Sequence, residues 1–114
     1  MKAKKATGNG GLFHLILDLN ETSIDNSRFE ARMVHAGKAY DVGAWKQWIS
    51  ESSAGATPGA AEFLAYAHLR GVTPFYITNR GADEEPATRR NLGRLGYPLD
   101  PNEDTLLTKG ERQE

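Results

Sequence analysis

The sequence predicts an α/β protein in which helices flank a core of three parallel strands. Short apolar runs at residues 12–18, 72–78 and 104–109 are separated by stretches in which apolar residues recur at helical spacing. Strands that alternate with helices in this order form parallel sheets joined by right-handed crossovers. Polar residues follow each of the three runs, and the carboxyl ends of such strands are where α/β sheets bind their ligands.

The composition indicates one small globular domain and excludes several kinds of function. The chain has 114 residues, 39% of them hydrophobic and 25% charged, with a formal net charge of -1. So small a charge gives no long-range attraction to nucleic acid or to an anionic membrane. Cysteine is absent, which excludes disulfides, thiol catalysis and thiolate metal sites.

The start of the chain has no features of a targeting segment. "MKAKKATGNGG" is basic and lacks the apolar stretch of a signal peptide. No apolar run approaches the ~20 residues that a membrane-spanning helix needs. We therefore expect a cytoplasmic protein with a disordered tail at residues 1–11 and an α/β domain at residues 12–114.

The first half of the domain contains one predicted strand and two predicted helices. "LFHLILD" has few polar breaks, which favours a strand covered on both faces. Residues 23–42 show no clear period and are expected to be irregular. "GAWKQWISESS" has Trp45 and Trp48 at helical spacing. In "TPGAAEFLAYAHLRG" we expect Thr57 as N-cap, Pro58 at the first helical position and an end at Gly71. The residues expected on its inward face are Phe63, Leu64 and Ala67.

The second half repeats the alternation of strand and helix. "VTPFYIT" is β-branched and aromatic, which is typical of a strand. "DEEPATRRNLGRLG" has acids in its first turn, Pro86 early and Gly96 at its end, as expected for a capped helix. Gly93 within it is unfavourable for a helix and indicates close packing there. "DTLLTK" is the third predicted strand.

The three strand ends bring together groups suited to phosphoryl transfer. They carry a carboxylate at Asp18, hydroxyls and amides at residues 20–22 and 78–79, and cations at Arg80 and Lys109. A carboxylate can attack phosphorus and so divide one difficult step into two. Hydroxyls, cations and backbone N–H groups stabilise the charge on the phosphoryl oxygens. The set therefore predicts phosphate chemistry at this edge of the sheet.

Four segments closely resemble the class C acid phosphatases of the haloacid dehalogenase superfamily, which also contains the lipoprotein e-type nucleotidases. They are "LDLNETSIDNS", "TPGAAEFLAYAHLRGVTPFYITNR", "TRRNLGRLGYP" and "LLTKGER", in order from about residue 12 to the C-terminus. The resemblance implies a truncated Rossmann-like haloacid dehalogenase fold with a three-stranded parallel core. It implies phosphomonoester hydrolysis in which Asp18 is the nucleophile and Asn20 occupies the general acid/base position. The residues expected at the phosphate are Thr78, Asn79, Arg80 and Lys109.

The sequence departs from the family pattern DLDET at Asn20. An amide does not exchange a proton at neutral pH, and general acid–base catalysis typically contributes ~10²–10⁴-fold. A slow enzyme is therefore expected, with good leaving groups least affected. Glu21 and Asp25 are the nearest substitutes in sequence, and we expect Asp25 to order the loop instead.

The sequence given ends at Glu114, and the resemblance implies that the strand with the superfamily's further acidic motif is missing. Asp18 and the carbonyl of Asn20 would then be the metal ligands, so we expect Mg²⁺ binding to be weak or absent. The missing strand would also leave the edge of the first strand exposed. Exposed edges pair with other chains, which predicts a homodimer formed by strand pairing or by exchange of an element.

Several residues have two interpretations at this stage. The tryptophans at 45 and 48 are either core or interface residues, or a platform for a substrate ring. Arg80 either binds phosphate or pairs with an acid. The three histidines have no metal-ligand spacing; His14 is expected to be packed or paired, and His35 and His68 to lie on the surface. The chain is accordingly either a slow phosphatase or a non-catalytic domain that binds phosphate or dimerises.

Overall fold

The computed structural model describes residues 2–5 and 13–109. The strands are β1 (Lys2–Lys5), β2 (Phe13–Asp18), β3 (Ile24–Asp25), β4 (Gly55–Ala56), β5 (Val72–Gly81) and β6 (Leu106–Lys109). The helices are α1 (Ser27–His35), α2 (Val42–Glu51), α3 (Ala60–Leu69) and α4 (Glu85–Arg94), and a 3₁₀ turn (Ala82–Glu84) precedes α4.

The main sheet contains the predicted three-stranded parallel core. Its strand order is β1-β2-β5-β6, and both the β2–β5 and the β5–β6 pairs are parallel. Asp18 pairs with Ile77, and Ile77 pairs with Leu107. The register therefore sets the carboxyl ends of all three strands at one edge. Strands β3 and β4 form a separate antiparallel pair.

A fourth strand lies where the sequence predicted a disordered tail and a free edge. β1 pairs antiparallel with β2, and Lys4 lies opposite His14. Lys2–Lys5 thus belong to the sheet, while the rest of the expected tail lies outside the described residues. The edge that β2 was expected to present to another chain is occupied by β1 of the same chain.

The helices pack against one face of the sheet. Leu15 and Leu17 of β2 are 5% and 3% exposed, whereas Ile16 between them is 49% exposed. The expectation that this strand is covered on both faces is therefore wrong for the described residues. The strand order advances in one direction from β2 to β6, and right-handed crossovers along one direction place every helix on the same side.

The predicted helices α2, α3 and α4 are confirmed, with differences at α3. Its N-cap is Gly59, and no side chain caps it, so the prediction of Thr57 is wrong. The carbonyl of Thr57 accepts a hydrogen bond from the N–H of Ala60 at 2.9 Å. Gly71 ends the helix at φ +78° as predicted. Leu64 and Ala67 face inward as expected, whereas Phe63 is 38% exposed.

Two further expectations need correction. Residues 23–42 are not irregular, because they contain β3 and α1. Only Phe29 and Met33 of α1 are buried, and this pair is too short a pattern to reveal a helix by periodicity. Gly93 does not mark close packing, since a Cβ added there would meet nothing within 4 Å among the described residues.

The described helices have a maximum length of ten residues. None of them in this part of the chain is long and apolar enough to cross a membrane. The cytoplasmic location stays a prediction of the sequence.

Candidate active site

The carboxyl ends of the parallel strands hold the predicted catalytic and phosphate-binding residues. Asp18 is the last residue of β2, Thr78 follows the partner of Asp18 in β5, and Lys109 ends β6. Asp18 and Lys109 are exposed, whereas Thr78 is 1% exposed. Register alone brings these three residues to one edge, as the sequence predicted.

A hydrogen bond joins the tips of β2 and β5. Nδ2 of Asn20 donates to Oγ1 of Thr78 at 3.3 Å. The turn after β2 makes this contact possible, because the N–H groups of Ser23 and Ile24 both donate to the carbonyl of Leu19. Glu21 within this turn has φ +62°, a left-handed conformation that is uncommon for a residue other than glycine.

Asn26 links the site together and was not identified from the sequence. Its Nδ2 donates to Oδ1 of Asn20 at 3.1 Å and to Oε2 of Glu21 at 2.8 Å. Its Oδ1 accepts from Nε1 of Trp48 at 2.9 Å and from Nη2 of Arg80 at 3.2 Å. Asn26 lies in the quoted segment "LDLNETSIDNS", but local sequence does not distinguish it from its polar neighbours.

Arg80 is buried, with neutral partners in place of an acid. Nη1 donates to Oγ1 of Thr88 at 3.0 Å, and the guanidinium lies 5.5 Å from the ring centre of Trp45. The guanidinium has no hydrogen bond to a carboxylate of the described residues, so the interpretation of Arg80 as paired with an acid is not supported. Burial lowers the pKa of Arg80 to about 10, although the charges of Glu84 and Glu21 oppose this shift.

An open cleft of about 670 Å³ adjoins the Asn20–Thr78 contact. Its apolar lining comes from Phe29, Met33, Val34, Tyr40 and Trp45, and its polar lining from Asn20, Glu21, Asn26, Glu30, Asn79 and Arg80. Trp48 lies in the core at 1% exposure, which confirms one of its two interpretations. Trp45 is half-buried, packs edge-to-face on Phe29 at 5.1 Å and also lines the cleft.

The remaining candidates have structural roles. Oδ1 of Asp25 accepts from the N–H of Ser27 at 2.8 Å, and this bond is the main reason that the pKa of Asp25 is lowered. Asp25 therefore orders the loop, as predicted. His14 is half-buried and its ring lies 4.9 Å from that of Phe75, while His35 and His68 are exposed.

The donor set for a divalent cation is small. Within residues 2–5 and 13–109, no group of three or more His, Cys, Asp or Glu side chains could hold a metal ion. The exposed carboxylate of Asp18 and the main-chain carbonyl of Asn20 stay the predicted ligands of Mg²⁺. The side-chain oxygen of Asn20 already accepts from Asn26.

This arrangement agrees with a match to a family of known enzymes. Residues 1–114 match the model for the haloacid dehalogenase superfamily, subfamily IIIB (acid phosphatase). The chain belongs to this family. The resemblance inferred from the four sequence segments is therefore confirmed.

Two solved structures of this kind are similar to the chain. The class C acid phosphatase from Bacillus anthracis is 35% identical, with a TM-score of 0.77 over 96% of this chain and 42% of that chain. The same enzyme with tungstate bound is 34% identical, with a TM-score of 0.79 over 100% of this chain and 44% of that chain. The chain thus has the fold of these enzymes and spans less than half of their length.

Proposed function

We propose that the chain hydrolyses phosphomonoesters slowly through an aspartyl-phosphate on Asp18. The observation that carries this proposal is the 3.3 Å hydrogen bond from Asn20 to Thr78, which joins two parallel strand tips beside Asp18. Membership of an acid phosphatase family supports it. The exposed position of Asp18 leaves its carboxylate accessible to a substrate.

The reaction takes place in two steps. A carboxylate oxygen of Asp18 attacks phosphorus, the bond from phosphorus to the ester oxygen breaks, and that oxygen leaves with the electron pair as an alkoxide, which takes a proton from water. Water then attacks the aspartyl-phosphate at phosphorus, which releases phosphate and restores the carboxylate. Thr78 and Lys109 stabilise the phosphoryl oxygens in both steps.

Proton transfer is the weak part of this reaction. The amide of Asn20 donates no proton to the leaving oxygen, so that proton comes from water. Esters whose alcohols are acidic, such as aryl phosphates, need this help least. The aromatic side chains of the cleft, Phe29, Tyr40 and Trp45, provide an apolar wall for the organic part of the ester.

Mg²⁺ is a weak partner in this proposal. Mg²⁺ keeps several waters and is held by one or two protein oxygens together with substrate phosphate. Asp18 and the carbonyl of Asn20 fit that pattern without a further carboxylate. When bound, the ion would neutralise charge on the phosphoryl oxygens.

The test is hydrolysis of an aryl phosphate by the wild type and by Asp18→Asn, each with and without Mg²⁺. We expect activity in the wild type, its loss in the variant, and a modest increase with Mg²⁺. Equal activity in both proteins, or no activity in the wild type, would refute the proposal that the chain hydrolyses phosphomonoesters through Asp18. Circular dichroism of the variant controls for folding.

The second candidate is a non-catalytic domain that binds phosphate or dimerises. The observation that favours it is that Asn20 has an amide in the acid/base position, hydrogen-bonded both to Asn26 and to Thr78. A wild type that binds phosphate but shows no turnover in the hydrolysis assay would support this candidate.

We also propose that the chain forms a homodimer. Since β1 covers the edge of β2 that was expected to be free, direct pairing of two β2 edges requires β1 to be displaced. Exchange of β1 between two copies keeps every pairing of the sheet and is the arrangement we favour. Other partners in the proposal are the small phosphomonoester substrate alone, with neither nucleic acid nor membrane.

A further inference from the structure

We infer that Asn26 fixes the Asn20 amide with its N–H groups toward Thr78, so that Asn20 and Thr78 together donate hydrogen bonds to a bound oxyanion. Asn20 then contributes to anion binding in a position where the family pattern has a proton-transferring acid. This inference rests on the proposed site and adds the role of two asparagines in it. Its basis is a series of donors and acceptors that begins in the core.

The orientation of Asn26 is set by two groups that can only donate. Its Oδ1 faces Nε1 of Trp48 at 2.9 Å and Nη2 of Arg80 at 3.2 Å. Neither an indole nor a guanidinium has an acceptor, so the amide nitrogen must lie on the other side. There it meets Oε2 of Glu21 at 2.8 Å, and an ionised carboxylate only accepts. Both ends of the Asn26 amide are therefore determined.

Asn26 in turn determines the orientation of Asn20. Nδ2 of Asn26 donates to Oδ1 of Asn20 at 3.1 Å. With the oxygen held there, the nitrogen of Asn20 points to Oγ1 of Thr78 at 3.3 Å. A reversed Asn20 would set two amide nitrogens against each other. The two donors in the core, Trp48 and Arg80, thus determine the orientation of Asn20 through Asn26.

Thr78 is left with a hydrogen to donate. Its Oγ1 accepts from Nδ2 of Asn20 and from the main-chain N–H of Arg80 at 3.1 Å. A hydroxyl has two lone pairs and one hydrogen, so both of its acceptor positions are occupied. No acceptor among the described residues contacts its hydrogen. No acceptor among the described residues contacts the second Nδ2 hydrogen of Asn20 either, and Asn20 is one of the residues that line the cleft.

The substitution Asn20→Asp would reverse this pattern. The ionised carboxylate that it introduces would accept the Thr78 hydrogen and would add a negative charge beside the anion. The site with Asn20 instead offers two donors and no added charge, which suits a tetrahedral oxyanion such as phosphate. The similar Bacillus anthracis enzyme has been solved with tungstate, an oxyanion of this shape.

The experiment is calorimetric titration of inorganic phosphate and of tungstate into the wild type and Asn20→Asp. Loss of a charge-assisted hydrogen bond, together with repulsion, corresponds to about 10- to 100-fold weaker binding at neutral pH. The difference in affinity between the wild type and Asn20→Asp should become smaller in mildly acidic buffer, because the carboxyl introduced at position 20 can donate a hydrogen bond once it is protonated. Asn102→Asp, in the exposed loop before β6, adds the same charge elsewhere and should bind like the wild type.

A second variant tests Asn26 as a positioning residue without changing Asn20. In Glu21→Gln/Asn26→Asp, the new carboxylate still accepts from Trp48 and Arg80, and the new glutamine donates to it. Asn20 must then turn its nitrogen toward residue 26 and its oxygen toward Thr78. Phosphate binding should fall about tenfold or more, while the melting temperature stays near that of Glu21→Gln. A purely structural role of Asn26 predicts unchanged binding in this variant.

The outcomes separate this inference from the proposed function. Phosphate and tungstate binding by Asn20→Asp that equals or exceeds wild-type binding at neutral pH would overturn the inference, whatever the hydrolysis assay gives. If Asn20→Asp binds the anions more weakly than the wild type, and the wild type hydrolyses no phosphate ester, the inference is upheld and the proposed phosphatase activity is refuted. A wild type that binds neither anion would overturn both.

Discussion

Asn26 connects four side chains from three parts of the chain, and the residue is 1% exposed. Its partners include two donors, Trp48 and Arg80, that lie in the core at 1% and 3% exposure. Buried donors are costly when they lose an acceptor. At the residue scale, we therefore expect the stability of the site and its proposed chemistry to depend on the same amide.

Asn26→Ala is expected to destabilise the protein by about 2–4 kcal/mol, because it removes the acceptor of Trp48 and of Arg80 together. The free energy of unfolding from urea titration measures this. Asn102→Ala, at an exposed position of a loop, is the matched control and should lie within about 0.5 kcal/mol of the wild type. A loss below about 1 kcal/mol for Asn26→Ala would mean that water replaces the amide.

Asn20→Asp is expected to raise turnover while it weakens phosphate binding. A carboxyl at this position can protonate the leaving oxygen, so kcat for an alkyl phosphate should rise by about 10²-fold or more. Activated aryl phosphates should gain less, since their leaving groups need no proton. Steady-state kinetics with both ester types measure the two gains. Equal gains would show that the new carboxyl acts otherwise than as an acid.

At the element scale, α1, which the sequence did not reveal, and α2, which it predicted, form one wall of the cleft. Phe29 and Met33 of α1 are buried, and the ring of Phe29 lies 5.1 Å from that of Trp45 in α2. Arg32 of α1 donates to both carboxylate oxygens of Glu51 of α2, at 2.9 and 3.0 Å. This ion pair links the two helices at the surface, where such pairs contribute little to stability.

Glu51→Gln is expected to lower the melting temperature slightly at neutral pH and not at acidic pH. The hydrogen bond from Arg32 is the main reason that the pKa of Glu51 is lowered. Because the pKa of Glu51 is lowered in the folded protein, ionised Glu51 contributes to stability above the ordinary pKa of glutamate. This contribution to stability is lost as the pH falls through the pKa of Glu51 in the folded protein. Melting curves across this range measure it.

The control for this change is Glu103→Gln, at an exposed position of the loop before β6, which should leave the melting temperature unchanged. The contribution should also fall in high salt, since the pair lies at the surface. A destabilisation by Glu51→Gln that persists at acidic pH would contradict an electrostatic origin.

At the scale of the whole molecule, the sheet is covered on one face and bordered by β1. Ile16 is 49% exposed, and Phe75, its neighbour in β5, is half-buried. This chain matches 42% and 44% of the lengths of the two solved relatives. The matched part is therefore less than half of each relative.

We expect the protein to sediment as a homodimer at micromolar concentration, with β1 exchanged between copies. Lys4 and His14 lie opposite each other across β1 and β2, within the distance that a disulfide spans. The chain has no cysteine, so Lys4→Cys/His14→Cys introduces a single reporter pair. Exchange predicts a covalent dimer on a non-reducing gel.

The single variant His14→Cys is the control for disulfides formed by chance collision. A disulfide within one chain, in a protein that sediments as a monomer, would refute the dimer. A dimer with the disulfide inside each chain would show that another surface is used.

Local patterns were sufficient for the elements with strong signals. The apolar run ending at Asp18, the glycines at 71 and 96, and the β-branched run of β5 each depend on neighbours in sequence. Their order predicted the parallel core and set Asp18, Thr78 and Lys109 at one edge. The family pattern also identified Asn20 as the departure on which the expectation of a slow rate depends.

Only the tertiary structure revealed the network behind those residues. Asn26 contacts Arg80 across 54 positions and Trp48 across 22, and no local pattern records which distant donor an amide will meet. The covering of one sheet face and the position of β1 were missed for the same reason, since burial depends on what packs above a strand. The order of residues was enough to predict which groups lie at the strand tips. The orientation of their hydrogen bonds depends on the tertiary structure, because each buried donor or acceptor determines which end of the neighbouring amide faces it.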